Sequence, residues 1–409
     1  MEEITSDLQE GLLALAVGAG LQVMQQLMEA DVTAVCGPRG KHNPQRSGVR
    51  HGTEAGSVTL GGRRVPVRRR RVRTADGSAE LPVPAYEVFT GTEVLGRMAL
   101  ERMLAGVSAR RYPVALEPVG RGIDAQARST SKSAVSRKFV QLTETALADL
   151  LATDLSGLDV VALMIDGVYF AEHLCVVALG IDIDGTKYPL AVVEGSTENT
   201  TLVRSLLVGL RERGLDTTRP ILAVLDGAKA LAAAVQEVFD HPVIGRCQLH
   251  KIRNVRDHLP KTMHGPVEKR MRTAYHADTA LQAEALLSAL AAELDKTHPG
   301  AAASLREGLP ETLTVLRLDV APTLARTLRS TNAIESMISI SRDHARNVKR
   351  WRDGQMALRW CAAGMLEASK QFRRVNGHLH LPALRASLDR HAAAESAGAD
   401  CNTHTVSAA

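Results

Sequence analysis

The sequence predicts a mixed α/β core of five strands, split by an all-helical insertion and preceded by a basic N-terminal region. Five short runs rich in β-branched and apolar residues, alternating late in their order with helical periodicity, predict the core. A gap of 109 residues between Asp226 and Glu335, far longer than one strand and one helix need, predicts the insertion. A local charge of +10 between Arg39 and Arg73, in a chain whose net charge is +5, marks the basic region. At 409 residues the chain exceeds one typical domain, so two or three domains with sizeable cores are expected.

Residues 1–36 repeat apolar side chains at helical spacing and end in the Cys36-Gly37-Pro38 connector. Within 37–78, Ser57 to Leu60, Gly61-Gly62 and Arg63 to Arg68 read as a β-hairpin whose second strand runs on to Arg73. Side chains alternate along a strand, so Arg63, Arg64, Arg68, Arg69, Arg70, Arg71 and Arg73 occupy both faces. One face at least must meet solvent or phosphate.

The 79–156 region reads as helical, and one segment of it favours DNA. Ser131, Lys132, Ser133, Ser136, Arg137 and Lys138 are polar, while Val135 and Phe139 recur at i and i+4. Such a helix, paired with a preceding one, suits a helix-turn-helix whose second helix lies in the major groove.

The strands are expected at Val160 to Phe170, Leu174 to Ile183, Tyr188 to Val193, Ile221 to Leu225 and Val243 to Cys247. Asp184-Gly185 marks a tight turn between the second and third, and helices follow the third (Asn199 to Arg213) and the fourth (Ala228 to Phe239). Three antiparallel strands followed by αβαβ is the order of a ribonuclease H-like fold, with strand order 3-2-1-4-5. The core then divides into 157–260 and 327–391 around a helical insertion at 261–326, and a small, polar tail at 392–409 is expected to be disordered.

In that order the first and fourth strands are parallel neighbours, so Asp166 and Asp226, each followed by Gly and expected at their carboxyl ends, come together. Two like charges so placed call for a cation between them. Hard oxygen ligands of this kind suit Mg²⁺. Glu335 opens a helix that carries Arg342, Arg346 and Lys349 before Arg350 and Arg352, a row suited to phosphate. Asn332, three residues before it, also fits an N-cap with Glu335 as its capping-box partner. Cys247 and His250 lack the second Cys/His pair that a tetrahedral zinc site needs, so packing beside the fifth strand is the expected role.

The ordered set Asp166-Gly167, Asp226-Gly227, Cys247-x-x-His250 with Arg253-Asn254, and Thr331-Asn332-x-Ile334-Glu335-Ser336 resembles the DDE transposases of bacterial insertion sequences related to the Mutator element. The resemblance runs from about Leu81 to Leu388 and includes Val348 to Trp351 and Leu358 to Trp360. It implies that Asp166, Asp226 and Glu335 form the catalytic, metal-holding triad, and that Cys247 and His250, with Arg253, Asn254 and Asn332, form an accessory motif. The cofactor implied is Mg²⁺, with Mn²⁺ able to substitute. The partners implied are double-stranded DNA, as terminal inverted repeats and as target, bound by a homodimer. A ribonuclease H-like nuclease and a catalytically silent DNA-binding regulator are the alternatives.

Five scattered cysteines without a Cys-x-x-Cys pair argue against a disulfide framework. An acidic leader before the first apolar stretch argues against a signal peptide, and no apolar run is long enough to span a bilayer. The expected location is the cytoplasm, in association with the nucleoid.

Overall fold

The computed structural model describes residues 2–41, 43–60, 62–90, 92–112, 116, 119, 125–129 and 131–406. These fall into two compact units, 1–143 and 144–409.

The first unit opens with a 35-residue helix, α1 (Glu2–Cys36). Two long strands follow, β1 (Gly48–Leu60) and β2 (Arg63–Thr74), paired antiparallel with Val58 opposite Val65 and Glu54 opposite Arg69. The hairpin is thus much longer than the expected Ser57 to Arg73. Its first strand starts nine residues earlier, through a polar stretch with an irregularity between Arg50 and Thr53, where Gly52 takes a φ of +79°. Met24, Met28 and Val32 of α1 bury against Val58, Val65 and Val72. Short strands β3 (Glu80–Leu81) and β4 (Arg128–Ser129) pair with β2. Helices α2 (Pro84–Thr90), α3 (Thr92–Leu104) and α4 (Lys132–Ala152) complete the described elements.

Helix α4 has the expected polarity. Val135 and Phe139 are buried, whereas Lys132, Ser133, Ser136 and Arg137 are exposed and Lys138 is half-buried. Among the described residues, however, the helix before it is α3, which ends at Leu104, so no short turn joining two helices is seen. The residues between include several outside the described set.

The second unit is built on a five-stranded mixed sheet: β5 (Val160–Phe170), β6 (His173–Asp182), β7 (Lys187–Gly195), β8 (Ile221–Leu225) and β9 (Pro242–Arg246). The order is β7-β6-β5-β8-β9, antiparallel within the first three and parallel from β5 to β8 to β9. Every strand falls within two residues of its expected bounds. Gly185, at φ +81°, turns β6 into β7.

One sheet face presents Leu163, Ile165, Ala223 and Leu225 to helices α5 (Thr200–Glu212) and α6 (Lys229–Val238) in a single apolar cluster. The alternation then turns Met164, Asp166, Val224 and Asp226 to the other face. Covering that face are α14 (Asn332–Ala345), packed on β5, and α15 (Gly354–Ser369), packed on β6 and β7.

In chain order, the all-helical insertion falls between β9 and α14, with α7 (Gln248–Asp257), α8 (Lys261–Tyr275), α9 (Ala280–Asp295), α10 (Pro299–Arg306) and the short α11 (Leu309–Thr312), α12 (Thr314–Arg317) and α13 (Pro322–Leu328). Its apolar core begins earlier than expected, at Ile252 on α7, and runs to Leu313. Lys251, fully buried, anchors it through bonds to the carbonyls of Ser304 (2.6 Å) and Glu307 (2.5 Å).

The last helix, α16, spans Leu381–Val406 and so includes most of the tail expected to lack structure. That tail is rich in alanine, the strongest helix former. No described helix is long and apolar enough to cross a membrane. Cys36, Cys175, Cys247 and Cys361 are free and buried.

Candidate active site

Parallel pairing aligns Ala162 with Leu222, Leu163 with Ala223 and Met164 with Val224. Continuing that register by two residues sets Asp166 beside Asp226, on the face covered by α14. Asp166 does not stand at the carboxyl end of its strand, as the sequence suggested, although the strand keeps its expected bounds. It runs on to Phe170, with Asp166 opposite Val177 of β6. Only the parallel partner stops there, because β8 ends at Leu225.

Each of the two glycines has a separate reason. A Cβ on Gly167 would stand 2.9 Å from Oε2 of Glu198, so glycine leaves that carboxylate its room. Gly227 takes a φ of +108°, and a Cβ there would collide with the Arg246 guanidinium. The Asp-Gly pairs are therefore imposed by what faces the glycine, as well as by turn geometry.

Backbone N–H groups hold both aspartates: Gly167 donates to Asp166 Oδ1 at 2.8 Å, and Ala228 to Asp226 Oδ1 at 2.9 Å. Burial pushes the Asp166 carboxyl up to about 6 against that hydrogen bond, and the charges of Asp226 and Glu335 push the same way, while His250 opposes them. Glu198 is raised by burial, then by Asp226 and Asp166. It belongs to the loop after β7, one residue before Asn199, the cap of α5. The sequence reading passed over it.

Glu335 sits in the first turn of α14, but the capping-box alternative does not hold. Thr331 occupies the N-cap and Asn332 is already helical. The Thr331 hydroxyl donates to Glu335 Oε1 at 2.7 Å, and His250 Nε2 lies 3.8 Å from the same oxygen. Thr331 N and Oγ1 each stand 3.4 Å from Cys247 Sγ, and Oγ1 is 3.4 Å from His250 Nδ1.

Ligand atoms of Cys247, His250 and Glu335 thus lie within 4.8 Å of one another. Asp166, Asp226 and Glu335 are not drawn into so close a group, because Glu335 leans toward Thr331 and His250. Cys247 is buried at the N-cap of α7, its N–H donating to Leu225 O at 2.7 Å. Burial pushes its thiol up, but the hydrogen bonds with His250 and Thr331 outweigh this and the net direction is down. His250 is raised, chiefly by its bond to Cys247. Asn254 follows His250 one turn along the same helix and is half-buried, whereas Arg253 and Asn332 are exposed.

Glu335, Arg342 and Arg346 recur at i, i+7 and i+11 and share one face of α14. Both arginines are exposed, and among the described residues neither enters an ion pair. The helix ends at Ala345, so Lys349, Arg350 and Arg352 lie in the segment beyond it. There Trp351 stacks on Phe170 with ring centroids 4.9 Å apart, holding the segment to the strand that carries Asp166.

The basic hairpin is arranged differently. Arg63 is buried, Arg69 and Arg71 each pair with Glu54 and Glu80, and Arg70 pairs with Glu29 of α1. Arg64 donates to Ser57 and to the carbonyl of Thr90, and Arg73 to that of Gly77. Arg68 is exposed, and among the described residues its side chain reaches only the Thr53 hydroxyl.

The family described as "Transposase, Mutator family" matches residues 8–375. A transposase for insertion sequence element IS6120 from Mycolicibacterium smegmatis is 31% identical over 288 residues, 69% of this chain and 86% of that protein. One for ISRM5 from Rhizobium meliloti is 26% identical over 373 residues, covering 89% and 90%. One for IS256 in transposon Tn4001 from Staphylococcus aureus is 27% identical over 289 residues, covering 66% and 71%.

Proposed function

The chain belongs to the Mutator family of transposases, and on that premise we propose that it cuts and joins DNA at the ends of an insertion sequence by DDE-type phosphoryl transfer. The observation that carries this reading is the register that sets Asp166 beside Asp226 on the sheet face covered by the helix of Glu335. Its strand order, 3-2-1-4-5 within the core, supports a ribonuclease H-like fold.

The residues present fit a divalent cation. Asp166, Asp226, Glu335 and Glu198 supply hard oxygen donors, and the Asp166 carboxyl is raised by burial first and then by the charges of Asp226 and Glu335. Magnesium bound there would stabilise the attacking and leaving oxygens of an in-line displacement. Like-charged carboxylates keep apart when nothing neutralises them. Glu335 rests meanwhile on the Thr331 hydroxyl and beside His250, whose pKa is raised chiefly by its hydrogen bond with Cys247. Thr331, Cys247 and His250 therefore act as positioning residues for Glu335. Arg342 and Arg346, on the same helix face, would hold the phosphates flanking the scissile bond, fixing position and reading no sequence.

A strand-transfer assay tests this. Purified protein, magnesium and DNA carrying the element's flanking inverted repeats should yield nicked ends and joined products, and neither should form with EDTA. Joined products in EDTA would remove the metal from the reading. Nicking with no joining under any condition would favour a nuclease.

A further inference from the structure

We propose that a second run of DNA phosphates, apart from the Arg342 and Arg346 face, is held in a cavity of about 500 Å³ beside the first turn of α14. This rests on the reading of the protein as a DNA transposase. Lys187, Arg326, Arg373 and Arg374 line the cavity together with Asn332 and Ser336, and no carboxylate does. Among the described residues Arg326, Arg373 and Arg374 enter no hydrogen bond or ion pair, and all three are exposed. Converging like charges repel, and the cost is removed when an anion shares them. Arg329, beside them, is already held low, by burial first and by the charge of Arg326 second.

Two further observations fix the kind of anion. Thr331 gives α14 no side-chain cap, since its hydroxyl is turned to Glu335. The positive end of a 14-residue helix is thus left without a capping oxygen at the cavity wall, where Asn332 and Ala333 lie. The cavity also continues. A second one, of about 250 Å³, shares Arg326, Ser330 and Asn332 and adds Arg272, His276 and Arg329. A third shares Arg272 and His276 and adds Lys269 of α8, together with Glu268, which pairs with Arg272 at 2.8 Å. A strip this long, reaching from the loop after α15 to the insertion, fits a polynucleotide backbone better than a single small anion.

Asn332 and Ser336, one turn apart, wall the cavity, and Glu335, with Arg342 and Arg346, lies roughly a quarter turn round the helix from them. The catalytic helix would then separate two phosphate tracks.

The test is the salt dependence of binding to a fluorescein-labelled 30-bp duplex, measured by anisotropy for wild type, Arg326→Ala, Arg373→Ala, Arg374→Ala and the control Arg204→Ala. Each lost phosphate contact should lower the slope of log affinity against log salt by about 0.9. Arg204, ion-paired to Glu237 on the opposite sheet face, should leave it unchanged. Combining Arg373→Ala with Arg342→Ala should lower the slope by the sum of the two single changes. Wild-type slopes in all three cavity variants would overturn the proposal while leaving the transposase reading intact. Competition by inorganic phosphate beyond that of chloride at equal ionic strength would overturn it too, showing a small-anion pocket. No salt-dependent binding by wild type would sink the transposase reading itself.

Discussion

The basic hairpin and the acidic strand ends both concentrate one sign of charge, yet they treat it in opposite ways. In the hairpin, Glu54, Glu80 and Glu29 return a carboxylate to Arg69, Arg70 and Arg71, so a run of four arginines leaves one, Arg68, exposed with no acid partner. At the strand ends, among the described residues, no lysine or arginine is hydrogen-bonded to Asp166, Asp226 or Glu198, and mutual repulsion adds to burial in lifting Asp166 to about 6. Charge that the fold neutralises holds the fold. Charge that the fold leaves open is where the proposed cation would bind.

The largest effect expected from this contrast is chemical. Asp166→Asn, Asp226→Asn and Glu335→Gln should each reduce single-turnover cleavage by more than the roughly 10–100-fold typical of losing an outer-shell partner of a metal site, with duplex binding kept. Full activity in one variant would take that residue out of the set. Next comes Glu198→Gln, with an expected loss of about 10–100-fold in cleavage and a weaker affinity for Mn²⁺ read by electron paramagnetic resonance without DNA. Unchanged Mn²⁺ affinity would make Glu198 a bystander held near Gly167 by packing alone.

What could be read from the sequence followed from local pattern, and what was missed depended on distant partners. All five core strands were legible because Val, Ile and Leu dominate them and turn residues bound them. Asp166 and Asp226 were legible as strand-end acids, although β5 runs four residues past Asp166 because β6 still pairs with it there. Glu198 was not, since within Ser196-Thr197-Glu198-Asn199 it reads as loop before a helix cap, and only the fold brings it to Gly167. Thr331 was legible as part of the motif around Glu335, but not its bonds to Cys247, 84 residues away. The arginines of β2 misled by their number: Glu54 pairs with two of them only because Gly48 to Gly56, a polar stretch without strand-like alternation, nonetheless continues the hairpin.

The open charge also has a cost in stability, and the sign can be worked out. Asp166 has a folded pKa of about 6 against an ordinary 3.8, so the folded state binds this proton more tightly than the unfolded chain. Its contribution is most favourable below about pH 4 and is lost as pH rises through 6. In EDTA, Asp166→Asn should therefore raise the melting temperature at pH 7.5, by an amount equivalent to at most about 3 kcal/mol, and leave it unchanged near pH 4. Added Mg²⁺ should stabilise wild type and not the variant. A variant less stable than wild type at pH 7.5 in EDTA would mean that the Gly167 hydrogen bond outweighs burial.

The smallest effect, and the one that bears most closely on the hairpin, comes from removing its neutralising acids. If Glu54 and Glu80 hold Arg69 and Arg71 away from DNA, Glu54→Gln with Glu80→Gln should free two cations and steepen the salt dependence of duplex binding, by up to about 0.9 for each new phosphate contact. Surface pairs such as these contribute little to stability, so the double variant should stay folded. Arg68→Ala, by contrast, should lower the slope by about one contact at once, since Arg68 is the exposed member without an acid partner. The two changes pull in opposite directions on one measured slope. A double variant with the wild-type slope would show that Arg69 and Arg71 lie off the DNA path whether paired or not, and that this part of the strand's positive charge serves the hairpin's own stability.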